Sequence, residues 1–321
     1  MHVFVWLPLL IPAIAALAAR PLADRLPPRT ATWLLAASSV ILAAASCGVL
    51  GLLAVAAAVR IPFVDAAAGM SIHGVNSSDQ ASVPLGVLAG ALLAAAAGAA
   101  VRAAWLRTTA LVAAHQHTRR LPRPSRLTGA AEAVVVQDDG VDAYTVPGWP
   151  SRIVVTSGML AALTQAEREV LLAHERTHAG SCHYLFTAVA RLAAAANPLL
   201  TPVASAIGYC VERWADEQAA AAAGSRPLAA RAIAKAALAA TAAPAPPRAQ
   251  PAVLLGALPR AGFAGKPGVV PRRVAALLSP PPRLRLVPLV LAVVLVAIAG
   301  LSALDAARDL HTMIELAQSA G

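Results

Sequence analysis

The chain has 321 residues, of which 58% are hydrophobic and 13% charged, and its mean hydropathy is +0.66. Soluble domains are about 45–50% apolar and about 25% charged, so this composition excludes an ordinary soluble protein, and its aliphatic content excludes a disordered chain. Three cysteines are too few for a disulfide-stabilised secreted scaffold, and the formal net charge is +10.

Four stretches that lack charged side chains are long enough to cross a bilayer, and they are residues 3–19, 31–59, 82–101 and 286–304. A helix needs about 20 apolar residues to span roughly 30 Å of hydrocarbon, so each stretch predicts a membrane-spanning helix. The first stretch could instead be a secretory signal peptide. No Lys or Arg precedes its apolar run, however, and its positive charges follow it, which favours a genuine span.

The arginines predict which loops face the cytoplasm. The loop at 20–30 has three Arg and one Asp, and residues 102–285 contain 21 of the 26 basic residues, whereas the loop at 60–81 has one Arg and two Asp. Because basic loops remain inside, residues 20–30 and 102–285 are expected in the cytoplasm, with both termini outside the inner membrane. This topology and attraction to anionic lipid explain the positive charge, and no direct nucleic-acid contact is expected without an aromatic-rich basic motif.

The long cytoplasmic segment contains signals for both strands and helices. Residues 102–131 are basic and contain two prolines, which predicts a helical continuation of the third span and then a juxtamembrane linker. Residues 133–137 and 152–156 are rich in β-branched side chains and predict two short strands. Residues 164–167 have the spacing of a capping box and predict the start of a helix, and a second helix is predicted over residues 199–223.

The first of these helices carries the HExxH pattern His174-Glu175-Arg176-Thr177-His178. Residues i and i+4 lie on one helix face about 6 Å apart, so both imidazoles can bind one metal ion. Glu175 can then act as a general base toward a metal-activated water. The pattern therefore predicts a hydrolytic metal site. The alternative is a surface helix that carries two His and a Glu without a metal.

The second helix carries two carboxylates with the same spacing, Glu212 and Asp216. An exposed acidic face is one interpretation, but the flanking residues are apolar, and buried carboxylates need a cation or another partner. Glu212 is expected to complete a His-His-Glu site with the fourth position open. Asp216 is expected to accept a hydrogen bond from a ligand imidazole and so to fix its tautomer. One zinc ion per chain is predicted, with no organic cofactor.

Other side chains near the two motifs are not expected to bind metal. His183 would point away from the ligand face if the first helix continued that far, whereas a helix that ends at Gly180 would allow it a role on the substrate side. Cys182 and Cys210 are expected to be buried free thiols in a reducing compartment, and Cys47 lies within a predicted span. A His-His-Glu set is already sufficient for a catalytic zinc.

The two motifs together resemble those of membrane-bound gluzincin peptidases, which pair HExxH with a later ExxAD. The lead-in at residues 153–160 and the Leu-Leu-Ala at 171–173 are similar as well. A short cytoplasmic domain between a third and a fourth span, the break at 197–199 and the segment 273–278 resemble the BlaR/MecR-type sensor peptidases. The HtpX and CAAX-type proteases share the motifs but arrange their spans differently.

The resemblance implies a role for each motif residue. Zinc would be held by His174, His178 and Glu212, the base would be Glu175, and Asp216 would support a ligand. The sensor peptidases also carry a large extracellular penicillin-binding domain after the last span. Here only about 17 residues follow that span, with no Ser-x-x-Lys among them. That sensor domain is therefore not expected, and β-lactam sensing is not predicted.

The predicted protein is mainly α-helical, with four membrane helices and a cytoplasmic gluzincin-type α+β domain inserted between spans 3 and 4. Its predicted parts are three spans in residues 1–101, the linker at 102–131, a zinc peptidase domain at 132–240, a Pro/Ala-rich linker and short helix at 241–285, the fourth span at 286–304 and an extracytoplasmic tail at 305–321.

The predicted function is that of an integral-membrane zinc metalloendopeptidase whose site faces the cytoplasm. By resemblance, its substrate is expected to be a regulatory protein in the cytoplasm or at the membrane surface, such as a winged-helix repressor. A quality-control protease of the HtpX type is one alternative. A non-catalytic membrane scaffold that retains the metal site is another, although the intact Glu175 argues against it.

Overall fold

The computed structural model describes residues 6–58, 82–119, 125–128, 131–148, 151–242 and 268–319, most of which are helical. The helices are α1 (Leu7–Arg25), α2 (Pro28–Ala58), α3 (Ser82–Arg119), α4 (Ser157–Ala162), α5 (Gln165–Gly180), α6 (His183–Ala196), α7 (Thr201–Ala222), α8 (Arg226–Ala242), α9 (Val269–Leu278) and α10 (Leu286–Ser319), with a 3-10 turn at Pro198–Leu200. The strands are β1 (Ser125–Thr128), β2 (Ala131–Val136), β3 (Ala143–Val146) and β4 (Arg152–Thr156).

The four predicted spans fall in helices α1, α2, α3 and α10. By length and composition each can cross a membrane, over the segments Leu7–Arg25, Pro28–Ala58, Val83–Gln116 and Leu286–Arg308. On α10, Val287 is 71% exposed and Leu301 is 66% exposed. Such exposure of large apolar side chains is unfavourable in water but normal against lipid tails. The prediction of a mainly helical membrane protein with a small sheet is confirmed.

Helix α3 continues beyond the third predicted span, as the sequence predicted for the residues after 101. It continues past Arg102 and Arg107 to Arg119, and strand β1 follows. The added turns are rich in Ala and Leu, which favour the helical conformation. The arginines therefore end the apolar stretch but do not end the helix. The part of segment 102–131 that was expected to be a linker contains strand β1, which was not predicted. Three predicted features lie outside the described residues, namely the loop at 60–81, the prolines at 122 and 124, and the Pro/Ala-rich residues 243–267.

A hydrogen-bonded link connects the first two spans to the break between α6 and α7. Pro12 lies inside α1 and has no N–H, so the carbonyl of Pro8 lacks its donor within the helix. The hydroxyl of Ser46 on α2 lies 2.8 Å from that carbonyl and 2.8 Å from the carbonyl of Leu42, and it can donate to either. The side-chain amide of Asn197 donates to Ser46 Oγ at 3.0 Å. Asn197 ends α6 directly before the 3-10 turn. The predicted break between the two motif helices is thus tied to the membrane helices.

The small sheet has the strand order β1-β2-β4-β3. Strands β2 and β4 are parallel, with Val134 opposite Val154, while β1 and β3 add antiparallel strands at the two edges. The two predicted strands correspond to β2 and β4, whereas β1 and β3 were not predicted. Both edge strands have only four residues, which is too short for a clear alternating pattern. Helix α5 packs against β3 and β4 and so lies beside one sheet edge.

The metal-motif helices share a core with the sheet. Helix α5 starts where the sequence predicted, because the backbone N–H of Thr164 donates to the Glu167 carboxylate at 2.9 Å in a capping box. Its buried Leu171 and Leu172 belong to the same core as Ala219 of α7. Helix α7 ends before Gly224, whose φ of +66° suits a residue without a side chain. Helices α5 and α7 therefore pack side by side, with α8 and α9 against them.

Candidate metal centre

Helix α5 brings the three HExxH residues into the interior of the protein. His174 and Glu175 are almost fully buried, and His178 is 9% exposed. The Nε2 atoms of His174 and His178 lie 3.0 Å apart. This is what the i, i+4 spacing predicts for two side chains on one helix face.

Glu212 on α7 completes a group of three potential ligands. Its Oε2 is 3.6 Å from His174 Nε2, and its Oε1 is 3.7 Å from His178 Nε2. All three ligand atoms lie within 4.8 Å of one another. Tetrahedral zinc with bonds of about 2.0–2.1 Å places neighbouring ligand atoms about 3.3 Å apart. The observed distances bracket this value, so the residues present fit a zinc ion.

Asp216 lies one turn after Glu212 on α7 and contacts the His174 ring at Nδ1, away from the Nε2 atom that faces Glu212. Its Oδ1 is 3.0 Å from Nδ1 of His174, and the carboxylate is 1% exposed. A carboxylate at this position accepts the Nδ1 proton and leaves the Nε2 lone pair for a metal. Burial disfavours the imidazolium, but the partners Asp216 and Glu212 raise the pKa of His174 to about 9 in the metal-free protein.

Arg273 on α9 is a member of this cluster that was not predicted as a site residue. Its Nε and Nη2 donate to the two Asp216 oxygens at 2.8 and 2.6 Å, and its Nη1 is 2.9 Å from Glu212 Oε2. Although burial opposes charged carboxylates, this guanidinium holds the pKa of Asp216 and that of Glu212 below their usual values. Arg273 belongs to the segment 273–278 that resembles the sensor peptidases, which was the available signal.

Thr145 on the edge strand β3 reaches the predicted base. Its hydroxyl lies 2.8 Å from Glu175 Oε2 and 2.9 Å from the backbone oxygen of Glu175, and it can donate to either. Burial raises the pKa of Glu175 to about 7, against the charge of His174 and the hydrogen bond from Thr145, both of which favour the carboxylate. A pKa near neutrality suits a group that takes up and then releases a proton. Thr145 carried no motif and was not predicted.

His183 contacts the imidazole of His178, the second histidine of the HExxH motif. The backbone turns at Cys182, and the imidazole of His183 then lies 3.0 Å from His178, Nδ1 to Nδ1. His183 is buried. The expectation that it points away from the ligand face required a continuous helix, and this condition is not met because α5 ends at Gly180. Burial lowers the pKa of both His178 and His183 to about 3, so both rings are neutral.

The two cysteines near the motifs differ from each other. Cys210 is buried, as predicted, and burial raises the pKa of its thiol to about 12. Cys182 is exposed, which contradicts the prediction that it is buried. The physical reason is its place in the turn between α5 and α6, where its φ of 50° directs the chain around the end of the helix.

About a third of the sequence matches a known protein family. Residues 100–210 match Peptidase family M48, and the matched segment contains the helix with His174 and His178 but ends before Glu212. A comparison with curated proteins gives no match, and neither does one with solved structures. The predicted relationship to membrane metallopeptidases is confirmed at the level of this family. Over residues 100–210, the chain is therefore similar to the metallopeptidases of family M48.

Proposed function

We propose that the protein is a zinc metalloendopeptidase in which His174, His178 and Glu212 hold the metal. The observation that carries this proposal is the convergence of three buried or half-buried ligand atoms within 4.8 Å, beside the buried carboxylate of Glu175. Two imidazoles and one carboxylate form a ligand set typical of catalytic zinc, which needs an open fourth position. A structural zinc site would instead use four protein ligands, commonly with thiolates.

The chain's own residues can supply the proton transfers of peptide hydrolysis. Zinc bound at this site would supply a polarising charge that makes water acidic and a carbonyl electrophilic. Glu175 would accept the proton of the attacking water and deliver it to the leaving amine. Thr145 would hold one oxygen of that carboxylate through its 2.8 Å hydrogen bond. Asp216 would orient His174, and Arg273 would keep Asp216 ionised.

We further propose that the site faces the cytoplasm at the surface of the inner membrane, with both chain termini on the outer side. Contacts between the last turn of α1 and the site helices support this placement. Arg213, next to the proposed ligand Glu212, donates to the carbonyl of Ala23 at 2.7 Å, and Arg272 pairs with Asp24 at 2.7 Å. The site therefore lies beside residues 20–30, whose three arginines favour the cytoplasmic side.

The proposed substrate is a regulatory protein in the cytoplasm or at the membrane surface, such as a winged-helix repressor. This part of the proposal rests on the resemblance to sensor peptidases. A quality-control protease would instead cut many membrane proteins. The two can be separated by comparing new protein N-termini in membranes from cells that carry the parent protein or Glu175→Gln. One or a few Glu175-dependent cuts in a DNA-binding regulator support signalling, and many cuts in membrane proteins support quality control.

The metal assignment is tested by measuring zinc in the purified full-length protein. The parent is expected to hold one zinc per chain, and His178→Ala is expected to lose stoichiometric zinc because only two ligands remain. The matched control is His115→Ala, since His115 is an exposed imidazole on α3. Unchanged zinc in His178→Ala would reject the ligand set, as would equal loss in both variants.

A further inference from the structure

The observation that leads further is the position of His183, which no part of the proposed reaction uses. Helix α5 ends at Gly180, and Cys182 adopts a left-handed conformation with φ 50°. Helix α6 then starts at His183 and folds its imidazole back under the ring of His178. The two ring centroids are 4.8 Å apart and the planes are almost perpendicular, at 87°. His183 is only 1% exposed.

The Nδ1 atoms of His178 and His183 lie 3.0 Å apart, so one of them must donate a proton to the other. A neutral imidazole carries a proton on one nitrogen and a lone pair on the other. If His178 donates from Nδ1, its Nε2 presents a lone pair to His174 and Glu212, where the metal would lie. If His183 donates instead, His178 must carry its proton on Nε2, and that N–H would exclude a metal. The direction of this one hydrogen bond therefore decides whether His178 can be a ligand.

The surroundings of His183 on the side of Trp214 favour the arrangement in which His178 donates to His183. The indole of Trp214 lies against the His183 ring, with centroids 4.7 Å apart and a tilt of 54°. Nε2 of His183 is buried and has no hydrogen-bond partner among the residues that the structure describes. A buried N–H near an aromatic face makes a weak favourable contact, whereas a lone pair there gains nothing. The proton of His183 is thus better placed on Nε2, which leaves Nδ1 free to accept from His178.

We infer that His183 is a positioning residue that accepts the Nδ1 proton of His178 and holds its Nε2 lone pair toward the metal. This inference rests on the proposed zinc site and deepens it. His183 would serve His178 as Asp216 serves His174, but with a neutral acceptor. A buried carboxylate such as Asp216 needs the guanidinium of Arg273 beside it. A neutral imidazole needs no counter-ion, and this suits a position packed between two aromatic rings.

The test uses two substitutions at this position in the full-length protein. Asn places an amide oxygen where the imidazole has Nδ1, so His183→Asn can still accept from His178. Phe keeps the ring that packs on Trp214 but cannot accept, so His183→Phe removes the hydrogen bond without opening a cavity. The dissociation constant for zinc is measured by competition with a chromophoric chelator. Thermal unfolding of the metal-free proteins checks that each variant is folded.

The inference predicts that His183→Phe binds zinc about 10–100-fold more weakly than the parent, as for other partners of ligand imidazoles. His183→Asn is expected to stay within about threefold of the parent. Zinc affinity in His183→Phe equal to that of the parent would overturn the inference while leaving the zinc site intact. Equal loss in His183→Asn and His183→Phe would also overturn it, because packing would then be the cause. A parent protein that binds no zinc would reject the zinc site itself.

Discussion

The guanidinium of Arg273 and the carboxylate of Asp216 form a buried bidentate pair, with donor–acceptor distances of 2.6 and 2.8 Å. Asp216 also contacts Nδ1 of His174 at 3.0 Å, and Arg273 also reaches Glu212 at 2.9 Å. One arginine from α9 thus touches both carboxylates of α7. Removing one member of a buried ion pair leaves an uncompensated charge, which is more costly than replacing the whole pair.

Arg273→Met is therefore expected to lower the free energy of unfolding by about 3–5 kcal/mol, because two buried carboxylates lose their cation. Arg273→Lys keeps the charge but not the bidentate geometry, so its loss should be smaller. The measurement is chemical denaturation of the metal-free protein in detergent. The matched control is Arg272→Met, since Arg272 is 31% exposed and pairs with an exposed aspartate. That variant should lose about 1 kcal/mol or less. Equal losses for the two arginines would contradict this account.

The hydrogen bond from Thr145 to Glu175 predicts an effect on catalysis. Thr145→Val removes a donor that favours the ionised carboxylate, so the pKa of Glu175 should rise above its value of about 7. A smaller fraction of Glu175 is then ionised at neutral pH, and kcat/KM should fall about tenfold there, with part of the loss recovered at higher pH. Thr145→Ser should restore activity because its hydroxyl can donate. The measurement is the pH profile of cleavage, and an identical profile for Thr145→Val would reject this role.

The lowered pKa of the Glu167 carboxylate makes the free energy of unfolding depend on pH. Burial opposes its charge, but hydrogen bonds from Lys235 and the backbone of Thr164 lower its pKa to about 2. An unfolded glutamate titrates near about 4.3. The stability that comes from this carboxylate is therefore present above about pH 4.3 and is lost as the pH falls toward about 2.

Glu167→Gln should accordingly cost about 1–2 kcal/mol at neutral pH, a value reduced because the Lys235 side chain is 43% exposed. The difference from the parent should shrink on acidification. Glu169→Gln is the control, because Glu169 is exposed on the same helix and should change stability by less than about 0.5 kcal/mol. A difference between Glu167→Gln and the parent that grows on acidification would contradict the assignment.

The exposed Cys182 gives a test of the proposed orientation. If residues 102–285 are cytoplasmic, a membrane-impermeant maleimide should not label Cys182 in intact spheroplasts, and it should label Cys182 in inverted vesicles. Cys182→Ser should abolish the signal, since Cys210 is buried. When Ser78→Cys, in the loop predicted to lie outside, is added to the Cys182→Ser variant, the introduced cysteine should show the opposite pattern. Labelling of Cys182 in intact spheroplasts would contradict the proposed topology and place residues 102–285 outside.

The part of the site that could be predicted from the sequence is the part that one helical turn determines. His174 and His178, and likewise Glu212 and Asp216, are four residues apart, so any helix must place each pair on one face. The break at Asn197 could also be predicted, because a proline follows it. These features depend only on short-range geometry.

The rest of the site depends on long-range packing, which leaves little trace in a single sequence. Arg273 is separated from Asp216 by 57 residues. Only its place in the segment 273–278, which resembles the sensor peptidases, distinguishes it from the other arginines of the basic segment. Thr145 lies on a four-residue edge strand that is too short to show a pattern. The contact of His183 with His178 requires a left-handed residue at Cys182, which is rare for a side chain of this kind.

The most direct test of the central claim is to measure zinc content and peptide cleavage together in purified Glu175→Gln. Glu175 is proposed to move protons and not to bind the metal, so this variant should keep one zinc per chain and a nearly unchanged fold. Cleavage of an unfolded protein such as casein in detergent should fall by about 10²–10⁴-fold or more, the range for loss of a general base. Glu212→Ala, in contrast, should lose zinc and activity together. Full cleavage by Glu175→Gln with its zinc retained would contradict the proposed peptidase mechanism.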